Sequence, residues 1–371
     1  MQFEKKKIVR AMTRDAMTFD SGYRALDAVG NMVGRPLGHS FTTHDGKTAD
    51  STGAFLVGEL ERLDQTLHAP LTSVTWGRDI DLREDVTIAD EVSSFTTSTF
   101  AAAGGTGNGN GIGNGKSWIG KVSTQITGIG TDISKTPLPL RPWGMELKYS
   151  ILELESAAKL GRPVDSQKFE GLQLKHQMDI DEQVYIGDTS TGDTGLVNSS
   201  LVTNVNNVAN GASGSPKWAL KTPDEILADI NAMLQSVWAA SAYAVMPGEL
   251  RLPPAIFGFI STAKVSNAGN ISILKYVMEN SLLTTTGSGK LNIQPLKWLI
   301  GAGQGGTIGT AGTVDRALVY SKDKQRVRYP MTLLQRTPIQ YEGIFHKSTY
   351  FCRLGVVEVV YPETIGYFDG I

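Results

Sequence analysis

Cysteine and charge are both scarce in this sequence. Cys352 is the one cysteine among 371 residues, which excludes an intrachain disulfide and a cysteine-rich zinc site. Charged residues make up 19% of the chain and the formal net charge is −2. This balance argues against a dedicated nucleic-acid-binding protein, although it leaves a local basic face open. A surface with so little charge suits extensive contacts with other protein chains.

Long apolar runs are also missing. No stretch approaches the roughly 18 apolar residues that a transmembrane helix requires. The N-terminal sequence MQFEKKKIVR lacks the apolar core of a secretory signal peptide. These absences predict a protein without a membrane partner that is made and kept in a cytoplasm.

Glycine, by contrast, is abundant at 41 residues, and two glycine-rich motifs look like nucleotide-binding loops. NGIGNGKS, ending at Ser117, has Asn110 where a P-loop needs its first glycine, and strand-like sequence follows it in place of the required helix. GAGQGG at 301–306 matches the dinucleotide fingerprint, but TIGTAGT follows where a helix is needed. We interpret both as loops and keep a dinucleotide-binding α/β enzyme using GAGQGG as the weakest alternative.

No other motif indicates an active site. The five histidines are scattered without metal-ligand spacing, and His176 is interpreted as a half-buried packing residue. GASGS misses the nucleophile elbow because Ser215 stands at its last position. Cys352, among apolar neighbours, is interpreted as a buried core thiol. We therefore predict no catalytic residue, no cofactor and no metal, and a protein that is not an enzyme.

The first 72 residues combine polar sequence with one helical pattern. Leu56, Leu60, Leu63 and Leu67 share a helix face, and Pro70 bars its continuation. The segment before them has little periodicity, which predicts an extended, mildly basic arm that cannot bury itself alone. A disordered tail is the alternative that the same pattern leaves open. The basic residues near its start include Lys5, Lys6, Lys7 and Arg10.

From Val74 onward the sequence has the pattern of a long β-hairpin. Strand-like bursts such as SSFTTSTF lead to GGTGNGNGIGNG at 104–115, and SWIGKVSTQITGIGTDI resumes the alternation. The glycine run forms no rigid element, so we expect a mobile tip between two strands. Such a hairpin reaches away from the body of the protein.

The stretch from Asp165 to Gly187 has the features of a long amphipathic helix. Asp165 is a favoured starting residue and Gly187 a favoured ending residue, so we predict a helix from Ser166 to Ile186. Apolar side chains at steps of three and four give it one stripe to bury. The stripe consists of Phe169, Leu172, His176, Ile180 and Val184.

The opposite face of this helix is charged or rich in amides. We interpret its carboxylates as solvated, serving solubility or subunit contacts. A shorter helix, ILELESAAKL, precedes it, and Ser150 with Glu153 forms the capping box of that helix. The polar face comprises Lys168, Lys175, Asp179, Asp181, Glu182 and Gln183.

Residues 201–323 have the pattern of a mixed α/β domain. Thr222 and Glu225 form a second capping box, with Pro223 at the first helical position. ISILKYVMEN is predicted as a helix, and AIFGFIS and LNIQPLKWLI as strands. From Asp315 the sequence is rich in strand patterns to its end, including RALVYS, RVRYPMTLL, IQYEGI and STYFCRLGVVEVVY.

The order of these parts resembles the major capsid proteins of tailed bacteriophages, which have the Hong-Kong-ninety-seven-type fold that encapsulin shells share. In that group a strand leads to an E-L-rich short helix, a G-x-P-x-D turn, a spine helix and a G-D…G-L-x-N exit. Here the turn is GRPVD at 161–165, and the exit comprises GD at 187–188 and GLVN at 195–198. The resemblance is specific over residues 54–200 and topological beyond them.

The resemblance implies an α+β fold whose copies assemble into the hexamers and pentamers of an icosahedral phage head around double-stranded DNA. The protein would belong to the virion capsid and assemble in the host bacterial cytoplasm. An encapsulin-like compartment shell is the alternative. The implied parts are an N-arm with a short helix (1–72), an extended E-loop (73–136), a peripheral domain with spine helix 166–186 (137–200), an axial domain (201–323), and terminal strands returning to the peripheral domain (324–371).

The resemblance also implies partners and contact residues. The E-loop and N-arm would contact neighbouring subunits, with scaffold, portal and decoration proteins as further candidate partners. Lys5, Lys6, Lys7 and Arg10 would contact packaged DNA on the inner face without reading its sequence. The candidate subunit-interface residues are Lys116, Trp118, Ile119, Lys175, Asp179 and Glu182.

One departure from the group concerns covalent cross-links. Some similar proteins join subunits by an isopeptide bond between an E-loop lysine and a peripheral-domain asparagine. Lys116 or Lys121 would supply the lysine, but no asparagine follows Asn292. The expected shell is therefore stabilised without covalent bonds.

Overall fold

The computed structural model describes residues 25–26, 32–33, 71–102, 129–160, 164–266, 270–310 and 314–371. The chain divides into two units, Met1–Pro70 and Leu71–Ile371. In the first unit, strands β1 (Ala25–Leu26) and β2 (Met32–Val33) pair antiparallel. The predicted leucine-rich helix lies outside the described residues, and all other described elements belong to the second unit.

A long antiparallel hairpin confirms the strand prediction around the glycine run. Strand β4 (Val92–Ala102) pairs in register with β5 (Ile129–Pro139), while the glycine-rich segment at 104–115 lies outside the described residues. The hairpin begins later than residue 73, because a short helix, α1 (Trp76–Asp79), and strand β3 (Asp81–Arg83) come first. Two prolines fit in β5 because the outer edge of a two-stranded ribbon needs no N–H donor there.

The predicted spine helix is present with slightly shifted ends. After strand β6 (Arg141–Ser150) and helix α2 (Ile151–Leu160), helix α3 runs over Val164–Tyr185. Four of the five stripe residues are buried, with Ile180 and Val184 both fully inaccessible to solvent, and Phe169 is half-buried. Gly187 adopts a φ of 78° directly after the helix, a conformation that glycine takes without steric cost. We call α3 the spine helix from here on.

Two small sheets lie beside the spine helix. The longer one is built on β14 (Phe345–Leu354), which pairs with β6 along its full length. The other joins β3 in parallel to β11 (Val327–Pro330), which also pairs antiparallel with β15 (Glu358–Val359). The strands that cover the second edge of β14 are β12 (Gln335–Arg336) and β13 (Gln340–Glu342).

A five-stranded sheet forms the second half of the body, in the order β7-β16-β10-β8-β9. Its central strand separates two hydrophobic cores, because Leu318 and Tyr320 point into the core of the spine helix while Ala317 and Val319 point into the other. The strands of this sheet are β7 (Val205–Asn207), β8 (Glu249–Leu252), β9 (Asn292–Pro295), β10 (Arg316–Tyr320) and β16 (Ile365–Asp369).

Helices cover the second core. Helix α4 (Pro223–Ala240) begins at the predicted capping box. The Glu225 backbone N–H donates to the Thr222 side chain, and the Thr222 backbone N–H donates to the Glu225 side chain. ISILKYVMEN contains a helix, as predicted. The remaining helices of this region are α5 (Pro254–Thr262), α6 (Ile273–Asn280) and α7 (Leu282–Thr285).

Two strand predictions are wrong in this region. AIFGFIS lies in helix α5, whose first residue is Pro254. Proline favours the first position of a helix, and a short apolar run fits a buried helix as well as a strand. LNIQPLKWLI continues as a strand only to Pro295, after which Lys297–Leu299 forms a 3-10 turn. Proline lacks the N–H needed to extend the ladder.

The last strand contributes to both hydrophobic cores. β14 lies beside the spine helix, and β16 lies in the five-stranded sheet between β7 and β10. Ile365 and Tyr367 on β16 pack in the core of the spine helix, whereas Phe368 packs in the second core. All five residues of β16 are buried, which suits an interior strand covered on both faces rather than a surface strand. The assignment of residues 324–371 to terminal strands of one domain stays a prediction.

A buried charge cluster joins the two halves of the body. Arg251 on β8 donates from Nε to Asp79 Oδ1 at 2.8 Å, and the Tyr185 hydroxyl at the end of the spine helix donates to Asp79 Oδ2 at 2.5 Å. Burial works to raise the pKa of Asp79, but the hydrogen bond from Arg78 and the charge of Arg251 outweigh it and hold that pKa below its usual range. The cluster is stable only when all its charges are paired.

Candidate subunit-contact surfaces

The hairpin formed by β4 and β5, named here the hairpin arm (92–102 and 129–139), is exposed on both faces over most of its length. Phe95 and Ser93 are buried at its base, whereas Thr96, Ser98 and Thr99 on β4 are exposed. Ile133 on β5 keeps 68% of its surface accessible. An isolated two-stranded ribbon is marginal in water, so this arm needs a further surface to lie against.

The charged face of the spine helix holds three of the predicted contact residues. Lys175 and Asp179 pair with each other at 2.5 Å in an i,i+4 arrangement, and Trp143 Nε1 donates to Asp179 at 2.9 Å. Glu182 is exposed one turn further on. Asp179, Glu182 and Asp188 line a shallow groove of about 270 Å³, which presents negative charge at this end of the helix.

Asp181 corrects the prediction for that face. Its carboxylate is buried and accepts hydrogen bonds from the Thr75 N–H at 2.8 Å and from Trp298 Nε1 at 2.7 Å, with Lys297 Nζ at 3.2 Å. It holds α1 and the 3-10 turn against the spine helix. Asp181 therefore serves the fold of the subunit and is unavailable for contacts between subunits.

Sequence patterns missed an exposed apolar patch at the end of the β6–β14 sheet. Tyr341 and Ile344 keep 73% and 52% of their surface accessible, and Leu152 on α2 keeps 65%. The Ile151 N–H donates to the Ile344 carbonyl at 3.0 Å, so α2 adjoins this end of the sheet. The sequence IQYEGI indicated this patch, because it holds three large apolar residues but forms only the three-residue strand β13, which leaves them exposed.

The GAGQGG motif forms a loop, as predicted, and its backbone donors are used internally. The Gly303 N–H donates to the Val314 carbonyl at 2.8 Å, and the Gln304 N–H donates to Asp369 Oδ2 at 2.8 Å. Turns follow at 307–310 in place of a helix. The N–H groups of Gly303 and Gln304 are therefore unavailable to a phosphate group, and no helix N-terminus lies at residues 307–310.

His176 and Cys352 lie together in the core of the spine helix. His176 Nε2 is 3.3 Å from Cys352 Sγ, and the His176 ring contacts Trp143 with centroids 4.7 Å apart. Burial lowers the pKa of His176, with Asp179 opposing the effect, and burial raises the pKa of Cys352 to about 12. The histidine is thus a neutral packing residue and the thiol is unreactive.

The described part of the chain contains no group of three or more His, Cys, Asp or Glu side chains placed to hold a metal ion. Among the same residues, no helix is long and apolar enough to cross a membrane. Seven predicted contact residues lie outside the described residues and stay predictions: Lys5, Lys6, Lys7, Arg10, Lys116, Trp118 and Ile119.

Comparison with known proteins connects these surfaces to a family. A family model described as "Major capsid protein" matches residues 115–371, which include the spine helix, β5, the second core and all buried residues of the first core except Ile80. No protein with a curated description matches the sequence.

Solved structures share the fold at low sequence identity. The capsid of Myoviridae phage XM1 superposes with a TM-score of 0.63 at 17% identity, covering 85% of this chain and 99% of that one. A chain of a structure described as Mycobacterium phage Adephagia gives a TM-score of 0.52 at 10% identity, covering 84% of this chain and 95% of that one. The capsid of an empty GTA particle gives 0.50 at 12% identity, covering 84% and 96%. At these identities the likeness establishes the fold.

Proposed function

The chain belongs to the major capsid protein family, and from this premise we propose that its copies form the hexamers and pentamers of an icosahedral phage head enclosing double-stranded DNA. It is a capsid shell subunit with the Hong-Kong-ninety-seven-type fold, and its place is the virion capsid. The family and the phage capsids that share its fold favour this shell over the encapsulin-like compartment.

The exposed hairpin arm is the observation that supports extensive contact between subunits. Its strands bury only their base in their own subunit, so the rest gains stability when it lies across a neighbour. Obligate assemblies commonly bury thousands of Å² per interface, and the exposed faces of the arm contribute to that area. We assign residues 73–136 to an E-loop built around this arm and residues 1–72 to an N-arm that also contacts neighbours.

The surfaces described above supply candidate partners for the arm. Lys175, Asp179 and Glu182 on the spine helix form a charged contact surface, and Lys116, Trp118 and Ile119 belong to the segment that the arm carries at its end. Of these, Trp118 and Ile119 are the proposed apolar anchors. The shell is held together without covalent cross-links, since no asparagine follows Asn292.

Several further roles belong to the same proposal. Lys5, Lys6, Lys7 and Arg10 contact packaged DNA through its phosphates without reading sequence. Scaffold, portal and decoration proteins are additional partners, and assembly takes place in the host bacterial cytoplasm. The subunit performs no catalysis.

Expression of the full chain in bacteria, followed by electron microscopy of the lysate, tests the proposal. We expect icosahedral particles or capsomer rings; discrete small oligomers alone would contradict it. Particles boiled in denaturant should run as a single band at 40.0 kDa. A ladder of multimers would contradict the non-covalent shell.

A further inference from the structure

A buried carboxylate lies at the base of the hairpin arm. The Glu358 side chain has no solvent-accessible surface, and Arg83 Nη1 donates to its Oε1 at 2.9 Å. Arg328 Nε donates to Oε2 at 2.6 Å. The Ser93 hydroxyl on β4 also donates to Oε1. One carboxylate thus connects the beginning of strand β4 in the arm to strands β3, β11 and β15 of the body.

Four further hydrogen bonds from two arginine side chains hold the base where the chain enters and leaves the arm. Arg83 Nη1 also donates to Ser93 Oγ at 3.1 Å and to the Ser94 carbonyl at 3.0 Å. Arg353 on β14 donates to the Ile88 carbonyl at 2.7 Å and to the Leu140 carbonyl at 3.2 Å, one on each side of the arm. The chain entering the arm and the chain leaving it are therefore both fixed by arginine side chains.

Beyond its base the arm lies beside the body across a cavity of about 620 Å³, which Thr97–Thr99 on β4 line together with Ser241 and Val245. Among the described residues, no hydrogen bond or ion pair crosses this cavity. The polar contacts that fix the direction of the arm therefore lie at its base. An eleven-residue strand is about 36 Å long, so a rotation of about 10° at the base would move the far end by about 6 Å, more than the reach of a packing contact.

We propose that Glu358, held by Arg83 and Arg328, is the positioning group that fixes the direction of the hairpin arm so that the arm meets a neighbouring subunit. A buried ion pair often gives little net stability over an apolar replacement. The Glu358 carboxylate accepts directional hydrogen bonds from three side chains, and these bonds specify one orientation of the arm base relative to the body. This inference rests on the proposed function, because the arm needs a fixed direction only if it contacts another copy.

The test compares Glu358→Gln with Glu91→Gln in the full chain. Glu91 is exposed at the base of the same arm, which makes it the matched control. Particle yield is measured by sedimentation and electron microscopy, and hydrogen exchange of unassembled subunits by mass spectrometry. For Glu358→Gln we expect at least a tenfold loss of particles and at least tenfold faster exchange in peptides covering 90–96 and 136–141. Exchange of β8 and β10 should keep the wild-type rate, and Glu91→Gln should match wild type throughout.

Wild-type yield and wild-type exchange at the arm base in Glu358→Gln would overturn the proposal. So would faster exchange in β8 and β10 to the same degree, because that pattern means general destabilisation. If Glu358→Gln does not accumulate as folded protein, Ser93→Ala is the variant that tests the proposal. It removes the hydroxyl donor and keeps the ion pairs of Glu358 with Arg83 and Arg328. We expect it to speed exchange at the base two- to threefold and to lower particle yield; wild-type values overturn the proposal. Absence of particles from wild type counts against the proposed function, whereas the exchange comparison still tests the role of Glu358.

Discussion

The spine helix and the hairpin arm are the two long elements of the subunit, and they obtain their stability from different places. The spine helix buries Leu172, Ile180 and Val184 within its own chain, whereas the arm leaves Ile133 and most of its threonines exposed. Substitutions in the body should therefore change the free energy of unfolding. Substitutions in the arm should change assembly and leave the subunit folded.

The largest effect on the body is expected from Asp79→Asn. It removes one of the two carboxylates that pair with the buried Arg251, the one at 2.8 Å, and leaves Glu249 at 2.6 Å. It also removes the charge that accepts from Tyr185, and breaking a buried pair costs up to about 3–5 kcal/mol. Thermal or denaturant unfolding of the subunit measures the loss. The control is Asp323→Asn, because the Asp323 side chain is 36% exposed and its partner, Arg326, lies at 3.4 Å on the surface; it should leave stability unchanged. Equal effects of the two variants would contradict the role assigned to the buried cluster.

A proline in the spine helix should be nearly as damaging. Leu174→Pro removes a helix hydrogen bond and clashes with the preceding turn, at a cost of about 3 kcal/mol or more. Because the subunit fold depends on this helix, particles should disappear from the lysate. Leu174→Ala keeps the helix and serves as the control, with a smaller loss from the half-buried side chain. Normal particles from the proline variant would show that the helix is not the spine of the subunit.

A polar substitution on the arm should separate folding from assembly. Ile133→Ser removes an apolar side chain that is 68% exposed in the subunit, so its effect on unfolding should stay within about 0.5 kcal/mol. If a neighbouring subunit covers this position, particle yield or particle melting temperature should fall clearly. Thr131→Ser, two residues earlier on the same exposed strand, is the control. Unchanged particles together with a destabilised subunit would show that Ile133 stabilises its own subunit and does not serve contacts between subunits.

The smallest effect concerns pH and His176. Its pKa is lowered by burial, so the unfolded chain binds this proton more readily than the folded one. The contribution of His176 to stability is complete above its unfolded pKa of about 6.5 and is lost as the pH falls through the lower folded pKa. Wild type should therefore lose more stability than His176→Gln below pH about 6.5. Parallel curves for wild type and His176→Gln would contradict the assignment.

Local sequence patterns predicted the elements that are determined by residues close together in the sequence. The stripe of the spine helix, the Thr222 capping box and the paired strands of the arm each depend on nearby sequence, and each is confirmed. Asp181 looked solvated because its partners, Thr75 and Trp298, lie more than 100 residues away in sequence.

The candidate contact surfaces were only partly predictable for the same reason. Glu358 lies in an apolar terminal segment, and its role depends on Arg83 and Ser93, which are 275 and 265 residues distant. The charged face of the spine helix was visible from its spacing, but which of its carboxylates reach solvent depends on packing. Periodicity identifies which residues share a face and does not show what covers that face.

Hydrogen exchange of the arm in free subunits and in assembled particles tests the central claim most directly. If the arm gains its stability from a neighbouring subunit, amides at 96–99 and 131–135 should exchange rapidly in free subunits and become protected at least tenfold on assembly. Amides of the spine helix should be protected in both states. Equal protection of the arm before and after assembly would contradict the claim that the arm is a contact between subunits.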